Sequence, residues 1–220
     1  MKERKHPLIP GLAPEGTFFV AAGVILFFLC LIVPRWFGAL IFCVYTAFAI
    51  WFFRDPDRTP PDGNETIISP ADGRVVEVEL VEKAPYANEP ARKVGIFMSP
   101  FNVHVNRSPI TGVVEEVHYK QGGFVKADTT EASLINEHNA VVLRRDDGAR
   151  VMYVQVSGLV ARRIVCYLLP KDRVERGARV GMIRFGSRVD VYMPPRTEVS
   201  VKVGETVKAG ESIVGRLPWP

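Results

Sequence analysis

The sequence predicts a mainly β fold behind an apolar helical pair, on three observations. Residues 1–53 hold two uncharged stretches, and the rest of the chain carries short β-branched runs spaced about ten residues apart. One turn-plus-strand segment also occurs twice.

The N-terminal stretches are TFFVAAGVILFFLCLIV, residues 17–33, and WFGALIFCVYTAFAIWFF, residues 36–53, separated by Pro34-Arg35. Each is near the roughly 17–25 apolar residues that cross a bilayer, so the pair reads as a membrane-associated helical hairpin. Lys2, Arg4 and Lys5 precede it, and Arg54 and Arg58 follow it. Basic flanks at both outer ends favour both ends on the cytoplasmic side. A cleaved signal peptide would have a shorter apolar core and no second run. A core hairpin of a soluble protein would carry a polar face. Cys30 and Cys43 fall inside the apolar runs and Cys166 stands alone, so no disulfide framework or C-x-x-C metal site is expected.

Residues 54–66, rich in Pro, Asp and Gly, form a linker. Residues 67–220 form the β domain. Its runs are RVVEVELVE, KVGIFM, GVVEEVHY, AVVLRR, RVMYVQV, RIVCYLL, RVGMIRF, RVDVYM and EVSVKV, with residues 126–138 alone looking helical or irregular. Beyond residue 53 there are 24 basic and 22 acidic side chains, a balance unlike that of a nucleic-acid binder. The repeated segment is Pro70-Ala-Asp-Gly-Arg-Val-Val-Glu-Val78 against Pro109-Ile-Thr-Gly-Val-Val-Glu-Glu-Val117. In each, a Gly-containing turn launches a strand. The C-terminal VSVKVGETVKAGESIVGRL has a related cadence, and together these resemble the hammerhead strand-turn repeats of lipoyl-like carrier domains. The modified Lys of those carriers has no counterpart here.

Three stretches stand out from ordinary sheet sequence. They are Ile68-Ser-Pro-Ala-Asp-Gly-Arg74, then Met98-Ser-Pro-Phe-Asn-Val-His-Val-Asn-Arg-Ser-Pro-Ile-Thr-Gly112, then Arg184-Phe-Gly-Ser-Arg-Val-Asp-Val191. There is no Gly-x-Ser-x-Gly, P-loop or His-Glu-x-x-His motif, so conventional hydrolase, NTPase and zinc-protease readings lack their residues. On its own each feature has a plain reading. Asp72-Gly73 is a common turn, a lone His104 on a strand is usually structural, and Arg162-Arg163 is as readily a solvated pair.

Taken in order behind an apolar hairpin, the three stretches resemble the phosphatidylserine decarboxylase proenzymes, in particular the short bacterial members. The resemblance implies a pyruvoyl-dependent carboxy-lyase that cuts its own chain between Gly186 and Ser187. A large chain, residues 1–186, and a small chain, residues 187–220, would stay associated because strands on either side of the cut share one sheet, with residues 189–193 and 198–203 placed in it. Ser187 would become the pyruvoyl group, which forms a Schiff base with the amine of phosphatidylserine and yields phosphatidylethanolamine and carbon dioxide. His104 would handle the proton, Asp72 would support the cut, and Arg162 and Arg163 would hold the lipid phosphate. No metal is implied. His6, His118 and His138 lie outside the motifs and are expected at the surface. One departure from the family pattern is Arg107, which stands where larger members carry a second His; Arg cannot act as a base. Two other readings stay open on sequence. One is an archaetidylserine-type decarboxylase, the other a non-catalytic, membrane-tethered hammerhead adaptor.

Overall fold

The computed structural model describes residues 9–33, 35–87, 89–123, 135–158, 164–184 and 187–219. The chain divides into two compact units, one within Glu3–Asp57 and one within Arg58–Pro220.

In the first unit a 3-10 turn, Pro14–Gly16, leads into helix α1 (Thr17–Ile32), followed by helix α2 (Trp36–Phe52). Val33 leaves the helical region (φ −97°, ψ 99°), as the residue before a proline must to avoid the ring. The two helices meet at small residues: a Cβ on Gly23 would collide with the Thr46 hydroxyl. Phe19 stacks on Phe53 at 5.2 Å between ring centroids. Most other large side chains on both helices, among them Phe18, Ile32, Trp36 and Phe37, remain exposed. Pro14–Ile32 is long and apolar enough to cross a membrane.

The second unit is a β structure. Among the described residues its strands are β1 (Thr66–Ile68), β2 (Gly73–Val81), β3 (Ala91–Met98), β4 (Val105–Arg107), β5 (Gly112–Lys120), β6 (His138–Arg144), β7 (Arg150–Val156), β8 (Ile164–Cys166), β9 (Arg173–Val174), β10 (Arg179–Ile183), β11 (Ser187–Met193), β12 (Glu198–Val199), β13 (Thr206–Val207) and β14 (Ile213–Arg216). Among the described residues the large sheet has eight strands in the order β13-β2-β3-β11-β7-β6-β5-β9, and neighbouring strands in it run antiparallel. Two three-stranded sheets, β4-β10-β8 and β1-β14-β12, complete the unit.

Alternation along the strands separates the faces of the large sheet. Val75, Ile96, Val141, Leu143, Val151, Tyr153, Val189, Val191 and Met193 enter the main core. On the other face Ala140, Val142, Met152, Val154 and Tyr192 form a smaller cluster with Ala84 and Ala91. Both copies of the repeat begin their strands as the turn reading expects, β2 at Gly73 and β5 at Gly112. Each glycine is packed so closely that a Cβ would strike a carbonyl of the neighbouring strand, Phe97 or Arg144.

Two expectations are corrected. Strands from both sides of the 186–187 bond do share the large sheet, because β11 is inserted between β3 and β7, although β10, the strand just before residues 185–186, pairs with β4 and β8 instead. Of residues 198–203 only Glu198 and Val199 form a strand, and they join β14 rather than the large sheet. Local alternation identifies a strand but says nothing about its partners, which explains that error. His138 is buried rather than superficial: it opens β6, bonds the Asn136 carbonyl through Nδ1 at 2.9 Å, and meets the Tyr86 hydroxyl at Nε2, 2.8 Å away. Most of the stretch 126–138 lies outside the described residues, as does His6.

Candidate active site

Ser187 is the first residue of β11 and is fully buried. It pairs with Met98 at the end of β3, and its side chain points to the core face, where Oγ donates to the Met98 thioether at 3.3 Å. Sulfur of this kind is a weak acceptor, so the hydroxyl proton is parked and the oxygen lone pairs stay available.

Behind that sulfur runs a row of buried carboxamides. Asn139 Nδ2 donates to Gln155 Oε1 at 3.1 Å, and Gln155 Nε2 to Asn106 Oδ1 at 2.9 Å. Asn106 Nδ2 in turn reaches Met98 Sδ at 3.8 Å and the Pro70 carbonyl at 3.5 Å. All three amides are buried, which is tolerable because each is hydrogen-bonded. Met98 and Asn106 lie within the second of the three unusual stretches, though without a role of their own there, and the sequence gives no reason to pick out Asn139 or Gln155. Each of those two is a lone amide in an otherwise ordinary strand, and its partner lies far away in the chain.

His104 follows the turn at residues 99–102, where Asn102 Oδ1 accepts from both the backbone N–H and the hydroxyl of Ser99, at 2.8 Å each. The imidazole is fully buried, and its Nδ1 lies 2.9 Å from the Asn102 carbonyl. A carbonyl only accepts, so Nδ1 carries the proton and Nε2 is the basic nitrogen of the neutral ring. The His104 carbonyl accepts from Ile183 N, which brings this segment to the end of β10, three residues before Gly186. The turn also starts one residue after Met98, so His104 is tied by short segments to both sides of the 186–187 bond.

Asp72 sits elsewhere. Its carboxylate makes a two-pronged ion pair with Arg58, with Nη1 at 2.5 Å and Nη2 at 2.9 Å, and also accepts from Ala209 N at 2.8 Å. The residue precedes β2, so β3 runs between it and Ser187. Its link to the site passes through its own turn, because the Pro70 carbonyl accepts from Arg107 N at 2.9 Å and from Asn106. Arg107 is buried, and its guanidinium donates to the Gly177 carbonyl at 3.0 Å. Gly186, Arg162 and Arg163 lie outside the described residues.

On the opposite face of the sheet, directly behind the site, is a second group of charges. Arg188 Nε lies 2.5 Å from Asp190 Oδ1, and its Nη2 pairs with Glu77. Lys93 Nζ reaches Glu77 at 2.9 Å and Glu79 at 3.3 Å. Burial alone would raise the Glu77 carboxyl, but hydrogen bonds and charge from Lys93 and Arg188 outweigh it and hold the group below its ordinary value. For Arg188, burial opposes the charged form, and Asp190 and Glu77 reverse that.

Comparison with known proteins gives this arrangement a family. The model of the phosphatidylserine decarboxylase family matches residues 45–215. The chain is 44% identical over 212 residues to the phosphatidylserine decarboxylase proenzyme of Desulfotalea psychrophila, covering 96% of this chain and 99% of that one. It is 48% identical over 213 residues to the proenzyme of Cupriavidus metallidurans, covering 96% of each. A third relative, from Syntrophus aciditrophicus, is 44% identical over 205 residues, 93% of this chain and 96% of its own. With matches along nearly the whole length, the chain belongs to the phosphatidylserine decarboxylase family.

Proposed function

We propose that the protein is a proenzyme that cuts itself between Gly186 and Ser187 and then decarboxylates phosphatidylserine to phosphatidylethanolamine. The observation that carries this reading is Ser187 itself, a buried hydroxyl at the head of a central strand, turned toward a weak acceptor. In self-cutting, Oγ gives its proton to a base and bonds to the carbonyl carbon of residue 186 while the peptide C–N bond breaks and the nitrogen takes a proton. A base then removes the Cα proton of residue 187 as the Cβ–Oγ bond breaks, releasing residues 1–186 with a terminal carboxylate and leaving a Cα=Cβ double bond. Cβ takes a proton to give an imine, and water replaces its nitrogen as ammonia leaves, so that residue 187 becomes the pyruvoyl group.

His104 is the base for the first step. Arg107 cannot be, since it is always charged and holds the Gly177 carbonyl. Asp72 is held in its ion pair and supports the cut by fixing the turn whose Pro70 carbonyl bonds Asn106 and Arg107.

The residues fit a pyruvoyl group. Its methyl and two carbonyls occupy no more than the volume of the serine they come from, and Asn106 Nδ2 and Ser187 Oγ approach the same sulfur, Met98 Sδ. At the new N-terminus such a group supplies an electrophilic carbonyl and electron sink. His104 Nε2 then holds the proton delivered to the substrate's α-carbon. The closed core around Ser187 excludes water, which favours loss of the substrate's carboxylate charge. Arg162 and Arg163 bind the lipid phosphate. The apolar helices tether the β domain at the cytoplasmic face of the membrane, where the substrate lies.

The test is chemical. The purified protein should resolve into two chains, the smaller with a blocked, hydrazine-reactive N-terminus, and should release carbon dioxide from carboxyl-labelled phosphatidylserine. His104→Ala should slow turnover by roughly 10²–10⁴-fold. An intact chain that still decarboxylates the lipid would overturn the proposal.

A further inference from the structure

We infer that Arg188, gripped by Glu77 from across β3, is a positioning residue that holds the freshly cut end of β11 in register, serving turnover rather than the cut. This rests on the processing reading above.

Residue 187 is secured unevenly. On the β3 side, pairing begins at Ser187 with Met98; on the β7 side it begins one residue later, at Arg188 with Val156. While the chain is continuous, the peptide bond to residue 186 restrains that end. Cutting turns an interior residue into a terminus, and strand termini fray at little cost. The first side chain that can resist fraying belongs to Arg188.

The Arg188 side chain is 1% exposed and lies over Gly95, where any Cβ would strike its guanidinium. Its partners come from three strands: Asp190 on β11, Glu77 on β2, and, through Glu77, Lys93 on β3. After the cut Arg188 and Asp190 belong to the piece 187–220, and Glu77 and Lys93 to the other. The group therefore joins the two products next to the new end. The two buried cations face Asp190 and Glu77, and the more exposed Glu79 adds a second partner for Lys93. Burying four charges adds little stability over apolar packing. It does specify register, because a slip of one residue would turn Arg188 into the main core. The guanidinium points away from Ser187 Oγ and reaches the reaction only through the backbone of residue 187.

The experiment uses the full chain in detergent micelles containing phosphatidylserine. Glu77→Gln and Arg188→Met are compared with the unsubstituted protein for extent of cutting, kcat, KM, and the rate at which phenylhydrazine captures the small chain's carbonyl. Cutting reports folding, because only a folded precursor can perform it. Both variants should be cut to near the normal extent. Their kcat should fall roughly 10- to 100-fold, as expected when a reacting group is displaced by about an ångström, with KM within about twofold. Capture by phenylhydrazine should be several-fold faster, and Arg188→Lys, which keeps the charge without the fork, should restore part of kcat. If Arg188→Met does not accumulate, Glu77→Gln decides alone, since Arg188 there keeps Asp190. A cut Glu77→Gln protein with kcat within about twofold of normal overturns the inference, as does cutting that falls in step with turnover. An unsubstituted protein that is never cut overturns the processing reading beneath it.

Discussion

The two halves of the large sheet are built alike, but one has a buried serine, Ser187, where the other has Ala149. In the first, Ser69 Oγ donates to the Ala71 carbonyl at 2.6 Å; in the second, Ser108 Oγ donates to that of Ile110 at 2.7 Å. Each serine carbonyl accepts from a left-handed glycine, Gly210 or Gly177, and each valine two residues into the strand is followed by a bulge. The registers Val75–Ile96–Val189 and Val114–Leu143–Val151 make β11 the counterpart of β7. Ser187 then corresponds to Ala149, Met98 to Arg145 and Asp72 to Thr111. Even the turn bond is kept, since Thr111 Oγ1 accepts from Arg176 N at 3.1 Å as Asp72 does from Ala209 N. Turn chemistry is thus the shared scaffold, and the two halves differ at three exchanged side chains, to which the proposed mechanism adds His104. A further difference is connectivity. β6 and β7 are joined by a hairpin, whereas β3 and β11 are far apart in sequence, so a cut before β11 opens no hairpin.

Exchanging residues between the halves tests this directly. Ser187→Ala installs the counterpart residue and removes the nucleophile, so denaturing gels should show one intact chain and carbon dioxide release should vanish. Asp72→Thr should come next. The hydroxyl keeps the bond to Ala209 N but loses Arg58, so the Pro70 turn loosens and cutting slows by about tenfold, the effect of removing one charged partner of a hydrogen-bonded pair. Thr111→Asp, in the half without a nucleophile, should leave the cutting time course unchanged.

Much of this scaffold was legible in the sequence. Alternating valines and the Pro-x-x-Gly turns mark β2 and β5 because both signals are local, and the apolar hairpin declares itself by its lack of charge. Strand partners were less accessible. Strands of two or three residues, such as β4, β9 and β13, show no periodicity, and nothing in RVGMIRF reveals that β10 leaves the sheet which β11 enters. The position of Ser187 came from the order of three motifs, since Gly-Ser before a valine-rich run is locally unremarkable. The amide row beneath it depends on contacts 16 and 49 residues apart in the chain, which no local pattern encodes.

A milder comparison uses the glycines. Gly73→Ala and Gly112→Ala both drive a Cβ into a carbonyl, of Phe97 or Arg144. Each should cost about 1–3 kcal/mol in denaturant unfolding, the usual penalty of overpacking. The consequences for cutting should differ. β3 carries Met98 beside Ser187, so Gly73→Ala should also slow the cut, whereas displacement of β6 at Arg144 should not.

The smallest effect concerns acid. Where the first half has Met98, the second has Arg145, whose guanidinium bonds Asp147 through Nε at 2.9 Å. That hydrogen bond, opposed by burial and aided by the Ala149 N–H, draws the Asp147 carboxyl down to about 2. A carboxyl more acidic in the folded state than in the unfolded one stabilises the fold fully above its unfolded value. The contribution fades as pH falls from there toward the folded value. Unfolding midpoints in urea should therefore drop between about pH 4 and pH 2. Asp147→Asn should be less stable at neutral pH and flatter across that window. No such flattening should follow Met98→Leu, since the first half has no charge at that position. An equally steep acid profile in Asp147→Asn would show that the second half's hairpin does not depend on this carboxylate.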